Sequence, residues 1–293
     1  MSVFAPKDKE YKFKAFSFGA GVQSTALMLL IKHEPERLFE AMGHLPQVAY
    51  FADTGAEPEA THNHLKKLQD YGLPLPLKIV NNGSILIGTL RAGETIPRPT
   101  GRTFAPYYIK NPDGKKSMLT RKCTTEFKVV PIQKQMRLDM GFKKGQRIPK
   151  LASALWLGIS IDEADRMKVN QTGWVQNIYP LIELGMDRKQ CQDICIKYNM
   201  KAPKSRCYFC PYIRDWENFR KENPADYQKA IEFDKSIRDG RHTALNGTPY
   251  IHERLMPLHE GIDFSINERA KKHQGETPLF DDFAMECEGH CGV

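Results

Sequence analysis

The stretch FKAFSFGAGVQSTALMLLI, residues 13–31, reads as a strand, a tight glycine turn and a helix in immediate succession. FKAFSF is the strand, Gly19-Ala20-Gly21 turns the chain, and Ser24 opens the helical apolar run STALMLLI. Small residues let backbone N–H groups turn inward toward an anion. The helix N-terminus adds a favourable dipole, and the hydroxyls of Ser24 and Thr25 add donors. No lysine precedes the hydroxyl pair, so this is not the G-x-x-x-x-G-K-[ST] loop, and it is not G-x-G-x-x-G either. A strand–glycine–helix turn also occurs with no ligand, so other segments must decide.

Working outward, QVAYFA (47–52) is a second strand, closed by Asp53-Thr54-Gly55. Glu57 and Pro58 begin a helix to Tyr71, with Gly72 as its stop. Residues 77–80 form a third strand. Alternation of strand and helix predicts an α/β fold with a parallel sheet, whose ligands bind at the carboxyl ends of strands. Both glycine turns fall there. Residues 91–120 read as loop, and 124–140 as a helix broken near Pro131. A strand lies within 151–159, a short helix over 162–167 and a short extended piece over 178–182. Asp187 caps a helix to Tyr198. Residues 216–237 are helical with a break at Pro224, and periodicity is lost from Gly261.

Composition is that of a globular chain, with 41% hydrophobic and 27% charged residues. The longest apolar run, Ala26–Ile31, is far short of the ~20 residues a membrane span needs. No apolar stretch follows the lysines of the N-terminus, so no secretory signal is expected and the chain is read as cytoplasmic. The net charge is +8, and residues 110–150 hold twelve Lys and Arg against three Asp and Glu. That basic segment, with Phe104, Tyr107, Tyr108, Phe127 and Phe142 in or beside it, suits a nucleic acid or a phosphate-rich nucleotide; the plain alternative is a solvated basic surface. Seven cysteines, at 123, 191, 195, 207, 210, 287 and 291, point to metal or redox chemistry rather than to a disulfide framework. The histidines show no metal-ligand spacing.

Several segments carry a family resemblance in order along residues 14–211. Ser17, Gly19, Gly21, Gln23, Ser24 and Thr25 resemble the pyrophosphate-binding loop SGGxDS of the PP-loop ATP pyrophosphatases, with Gln23 where that family has aspartate. Asp53, Thr54 and Gly55, followed by Glu57-Pro58-Glu59, resemble the DTG…PET segment of phosphoadenosine phosphosulfate (PAPS) reductases. Arg121-Lys122-Cys123 with Lys128 resembles their cysteine-bearing basic segment. Trp156-Leu157-Gly158-Ile159-Ser160 with Glu163 resembles W-x-G-I-R-x-x-E, with Ser160 in place of arginine. Tyr179–Ile182 resembles the PLI segment. The chain is thus similar to PAPS-reductase-like proteins, with the sulfur-transfer protein of DNA phosphorothioation as a cousin.

The resemblance implies a PP-loop fold with ATP, or PAPS or adenylylsulfate, on the Gly19–Thr25 turn. It further implies a nucleotide contact from Asp53–Gly55, Gly158 and Glu163, phosphate-facing Lys128 and Arg121, and magnesium as a further ion to test. In adenylylsulfate reductases a cysteine pair and a distant C-x-x-C hold a [4Fe–4S] cluster. The corresponding set here is Cys123, Cys207 and Cys210, with Cys191 taken as fourth ligand and Cys195 as its competitor. A four-thiolate zinc site is the alternative. Sulfonucleotide reductases end in a tail with a nucleophilic cysteine, which makes Cys287 and Cys291 candidates; a metal-ligand or disordered tail is the other reading.

Three units are expected: an α/β nucleotide-binding domain over 1–185, a helical lobe with the C-x-x-C loop over 186–260, and a tail over 261–293. The first functional expectation is adenylation of a nucleotide or nucleic acid for sulfur transfer, fed by a sulfur donor. The second is a sulfonucleotide reductase served by a thioredoxin-like protein. The third is a non-catalytic nucleotide- or redox-sensing module that binds nucleic acid through residues 110–150.

Overall fold

The computed structural model describes residues 9–86, 105–238 and 246–272. A five-stranded, wholly parallel sheet runs in the order β3-β2-β1-β6-β7. Its strands are β1 (Phe13–Ser17), β2 (Val48–Ala52), β3 (Leu77–Val80), β6 (Ser153–Leu157) and β7 (Val175–Ile178). Every residue of β2, β6 and β7 is buried, as a sheet covered on both faces requires. One face packs Phe16, Phe51 and Trp156 against α1 (Val22–His33) and α3 (Glu59–Tyr71). The other packs Ala15, Tyr50 and Leu155 against Ile132 and Met136 of the helix Val130–Asp139. A helix that the sequence did not lead us to expect, α2 (Pro35–Met42), lies between α1 and β2.

The chain runs outward from β1 to β2 and β3, then returns to pair β6 on the other side of β1. The carboxyl ends of β1 and β6 therefore flank a topological switch point, where open α/β sheets bind ligands.

Pro131 does not simply break its helix. It lacks an N–H, so the carbonyl four residues earlier has no helical donor. The chain absorbs this with a π-helical turn over Thr125–Val129, in which the Val130 N–H reaches back to Thr125 O. Lys128 sits in that turn. Such turns recur at functional sites.

The second lobe is not purely helical. A three-stranded antiparallel sheet, β5-β4-β8, joins β4 (Tyr108–Lys110), β5 (Lys116–Met118) and β8 (Thr248–Tyr250). The segment expected as loop thus holds a hairpin. Its turn is Asn111-Pro112-Asp113-Gly114: Gly114 N–H donates to Asn111 O at 2.9 Å, and Gly114 takes φ of 80°. The lobe helices are Trp216–Glu222, Pro224–Arg238 and Leu258–Lys272, so the stretch from Gly261 continues a helix where loss of structure was expected. The extended piece falls at β7, and Pro180–Glu183 is a helical turn. The helix capped by Asp187, Arg188–Lys197, packs on α1 in the main core and not in the lobe. Among the described residues no helix is long and apolar enough to cross a membrane.

Candidate functional site

The glycine turn leaves β1 at Ser17, whose neighbours across the sheet are Tyr50 and Leu157. Ala20 takes φ of 57°, which a small residue makes tolerable, and Gly21 precedes the first turn of α1. Ser24 Oγ accepts from Gly21 N at 3.1 Å, and Thr25 Oγ1 bonds His64 Nε2 at 2.9 Å. The two hydroxyls expected to meet an anion are thus held inside the protein. The first-turn amides of α1 are the backbone donors that a helix start leaves without intrahelical partners. A side chain at Gly158 would put its Cβ 3.0 Å from the Ser24 backbone, so only glycine lets the end of β6 approach this turn.

Gln23, fully buried, occupies the place of the resembled aspartate. Its Nε2 donates to Glu163 Oε2 at 3.2 Å and Ser160 Oγ at 3.4 Å, and its Oε1 accepts from Arg188 at 3.4 Å. Glu163 pairs in turn with Arg166 at 2.6 Å. Burial raises the Glu163 carboxyl above the usual range despite these two arginines. Gln23 and Glu163 therefore brace the turn from below.

The turn after β2 is built around Asp53, whose Oδ1 accepts from Gly55 N at 2.8 Å. Gly55 has φ of 72°, and a Cβ there would lie 3.0 Å from Ser84 Oγ. Thr54 Oγ1 donates to Glu57 Oε1 at 3.1 Å and lies 3.4 Å from Cys207 Sγ. Glu57, its side chain 1% exposed, faces Lys128 Nζ at 3.9 Å. Burial pushes the Cys207 thiol up, with Glu57 adding to the effect and Lys128 opposing it.

The loop carrying Cys207 and Cys210 is locked to both turns. Ser205 Oγ donates to Gly19 O at 2.6 Å, and Tyr208 N–H donates to Ala56 O at 3.0 Å. The Arg121 guanidinium lies 5.2 Å from the Tyr212 ring, which brings the basic segment beside the same loop. Cys123, Cys207 and Cys210 all pack against the lobe core. Cys191 does not join them: it is wholly buried with Cys195 in the main core under α1, where Cys195 Sγ donates to Val22 O at 3.6 Å. Among the described residues no three His, Cys, Asp or Glu side chains are grouped as a metal site requires. The four-thiolate set with Cys191 therefore does not fit the fold. Cys287 and Cys291 lie outside the described residues.

Sequence reasoning missed Ser205, Glu57 and Arg188 as parts of this site. Glu57 was visible in the segment after Asp53, but its burial beside Lys128 was not. The basic segment is also divided by the fold. Arg121 and Lys128 stand at the carboxyl end of the sheet. Lys143, Lys144, Arg147 and Lys150 are exposed on the loop leading into β6, at its amino end.

No family model and no curated protein matches the chain. Among solved structures, a chain described as phosphoadenylyl-sulfate (PAPS) reductase from Candida auris, phosphate complex, is similar at 14% identity and a TM-score of 0.39, over 69% of this chain and 77% of that one. The α/β fold itself is read from the sheet described above.

Proposed function

We propose that the chain is an adenine-nucleotide-using enzyme of sulfur chemistry. The observation that carries this is the Ser205–Gly19 bond of 2.6 Å together with the Thr54–Cys207 contact of 3.4 Å. These two contacts support the reading, because they tie a thiol-bearing loop to the glycine turn after β1 and to the turn after β2. ATP would lie on the Gly19–Thr25 turn, against the first-turn amides of α1. An acceptor oxygen would attack the α-phosphorus, the bond to the bridging oxygen would break, and pyrophosphate would leave. A sulfur donor would then displace AMP from the adenylated acceptor. Lys128 and Arg121 would stabilise charge on the phosphates.

The test is product analysis with the full chain. Pyrophosphate released from ATP in the presence of acceptor supports this reading. Sulfite released from PAPS or adenylylsulfate supports instead a sulfonucleotide reductase acting through Cys287 or Cys291. Nucleotide or nucleic-acid binding with steep salt dependence and no turnover identifies a non-catalytic module.

A further inference from the structure

The small sheet of the second lobe has one face turned inward and one outward. Ile109 and Pro249 are buried, Ile109 in the lobe core with Phe233, Ile237 and Ile251. Side chains alternate along a strand, so Tyr108 and Lys110 of β4 and Thr248 and Tyr250 of β8 point the other way. The register sets the outward residues in two rows. Met118, Tyr108 and Tyr250 lie directly opposite one another across the three strands, and Lys116, Lys110 and Thr248 form the next row. Two residues along a strand separate the rows by ~6.8 Å. Lys110, Lys116 and Thr248 are exposed, Met118 is 38% exposed, and Tyr108 and Tyr250 are half-buried.

Like charges directly opposite each other destabilise a sheet. Lys110 and Lys116 hold such positions, and an anion between them would relieve the repulsion. The Lys116 ammonium also lies 5.5 Å from the Tyr108 ring centroid. A second cation–ring pair adjoins: the Arg121 guanidinium stands 5.2 Å from the ring of Tyr212, which is 38% exposed. Burial, Glu253, Tyr212 and Cys210 raise the Tyr108 hydroxyl and Arg214 lowers it, so these side chains surround it. The backbone leads the same way. Leu119 N–H donates to Tyr107 O at 2.9 Å, which carries β5 on toward Arg121, and Ile213 N–H donates to Cys210 O at 3.0 Å, which fixes the turn bearing Tyr212. Two acids border the face. Asp113 pairs with Lys115 at 3.4 Å in the hairpin turn, and Glu253 is exposed, its backbone O accepting from Lys116 at 3.4 Å. Against Glu253 stand Lys110, Lys116, Arg121 and Arg214, so the face is positive.

Accessible rings set among cations suit unstacked bases and the phosphates that join them. We propose that this face is a stacking platform for single-stranded nucleic acid, with bases on Tyr108 and Tyr212 and phosphates toward Lys110, Lys116 and Arg214. A duplex hides its base faces, so it would gain the charge but not the stacking. Tyr250 flanks the platform, with Arg238, itself held by Asp234, 5.4 Å from its ring. The inference deepens the proposed function and rests on it in one respect, that the bound strand is the acceptor. A strand lying here would pass Cys210 and Arg121.

Fluorescence anisotropy of the full chain with labelled DNA and RNA single strands of about 12 nucleotides, and with the matching duplexes, tests it in the absence of ATP. A single strand of at least one sugar is expected to bind more tightly than its duplex. Tyr108→Leu with Tyr212→Leu keeps bulk but removes both rings, and is expected to weaken binding about tenfold or more. Tyr108→Phe with Tyr212→Phe keeps the rings and is expected to retain binding. Lys110→Gln with Lys116→Gln is expected to flatten the slope of log K against log salt by about 1.4, at ~0.7 per phosphate contact. Lys143→Gln with Lys144→Gln, on the loop at the amino end of β6, should leave affinity and slope unchanged. No single-strand binding, a preference for duplex, or loss of binding in the phenylalanine variant overturns the inference. So does native affinity in the leucine variant, or a slope that Lys143 and Lys144 set and Lys110 and Lys116 do not. Failure to release pyrophosphate or sulfite while this binding holds counts against the proposed activity alone.

Discussion

The Asp226 carboxylate, on a helix of the lobe, accepts a 2.8 Å hydrogen bond from the backbone N–H of Glu59, the first residue of α3 in the main domain. Pro58, the residue before α3, has no side chain able to cap it, so the cap comes from 167 residues downstream. Lys229 pairs with the same carboxylate at 2.9 Å. Asp226→Ala is expected to cost about 1–2 kcal/mol in urea unfolding, the scale of a lost helix cap. Asp226→Asn, which keeps an acceptor, should cost less. Faster hydrogen exchange at residues 59–61 in the alanine variant would locate the effect.

Lys128 and Glu57 form a nearly dry pair, with side chains 10% and 1% exposed. Lys128→Met strands a buried carboxylate and is expected to destabilise by about 3 kcal/mol, the lower end for a broken buried pair because 3.9 Å is a long contact. Adding Glu57→Gln should restore much of that loss. A double variant no more stable than Lys128→Met would show that the two residues do not interact.

Gly158→Ala forces a methyl to within 3.0 Å of the Ser24 backbone, which cannot swing aside as a flexible side chain would. The expected cost is about 1–3 kcal/mol of stability, with weakened nucleotide binding from a displaced glycine turn. Unchanged thermal midpoint and unchanged ATP affinity would contradict this packing.

His64 is buried against Thr25, and burial, aided by Lys67, lowers its pKa to about 4. Its folded value therefore lies below the unfolded value of about 6.5. Between those values the unfolded chain binds the extra proton, so stability falls as pH drops from about 6.5 toward 4. One such group gives a slope of at most about 1.4 kcal/mol per pH unit. His64→Gln is expected to reduce that slope; His44, also lowered to about 4 by burial and Lys14, supplies a second contribution. Chemical unfolding at a series of pH values measures both.

Cys191→Ala is expected to leave the iron or zinc content of anaerobically purified protein unchanged, because Cys191 lies in the core under α1 and apart from the other three cysteines. The cost should be a packing loss of about 1 kcal/mol. A fall in metal content would place Cys191 back among the ligands.

Much of the main sheet was legible because its central strands are largely buried on both faces and so read as mostly apolar runs, as in VAYFA at 48–52. The Asp187 cap was legible as well, since its partner Gln190 is three residues away. The Asn111–Gly114 turn carried a readable signal, proline then aspartate then glycine, but its strands span only three residues each and lack alternation. The lobe's main carboxylates were not legible. Asp234 accepts from Ile251 N at 3.0 Å and Leu258 N at 2.8 Å, and nothing local distinguishes it from a surface acid on a helix. The site was half legible: its turns are contiguous motifs, whereas the Glu57–Lys128 and Ser205–Gly19 contacts depend on how distant segments dock.

The pairing of β1 with β6 joins Phe13 to Ser153. On a ribosome elongating at ~5–20 residues per second, one edge of the central strand waits on the order of ten seconds for its partner to be made. During that interval an apolar strand edge is available to other nascent chains, so the protein's yield in a cell should depend on translation speed and on chaperones that shield the emerging N-terminal half.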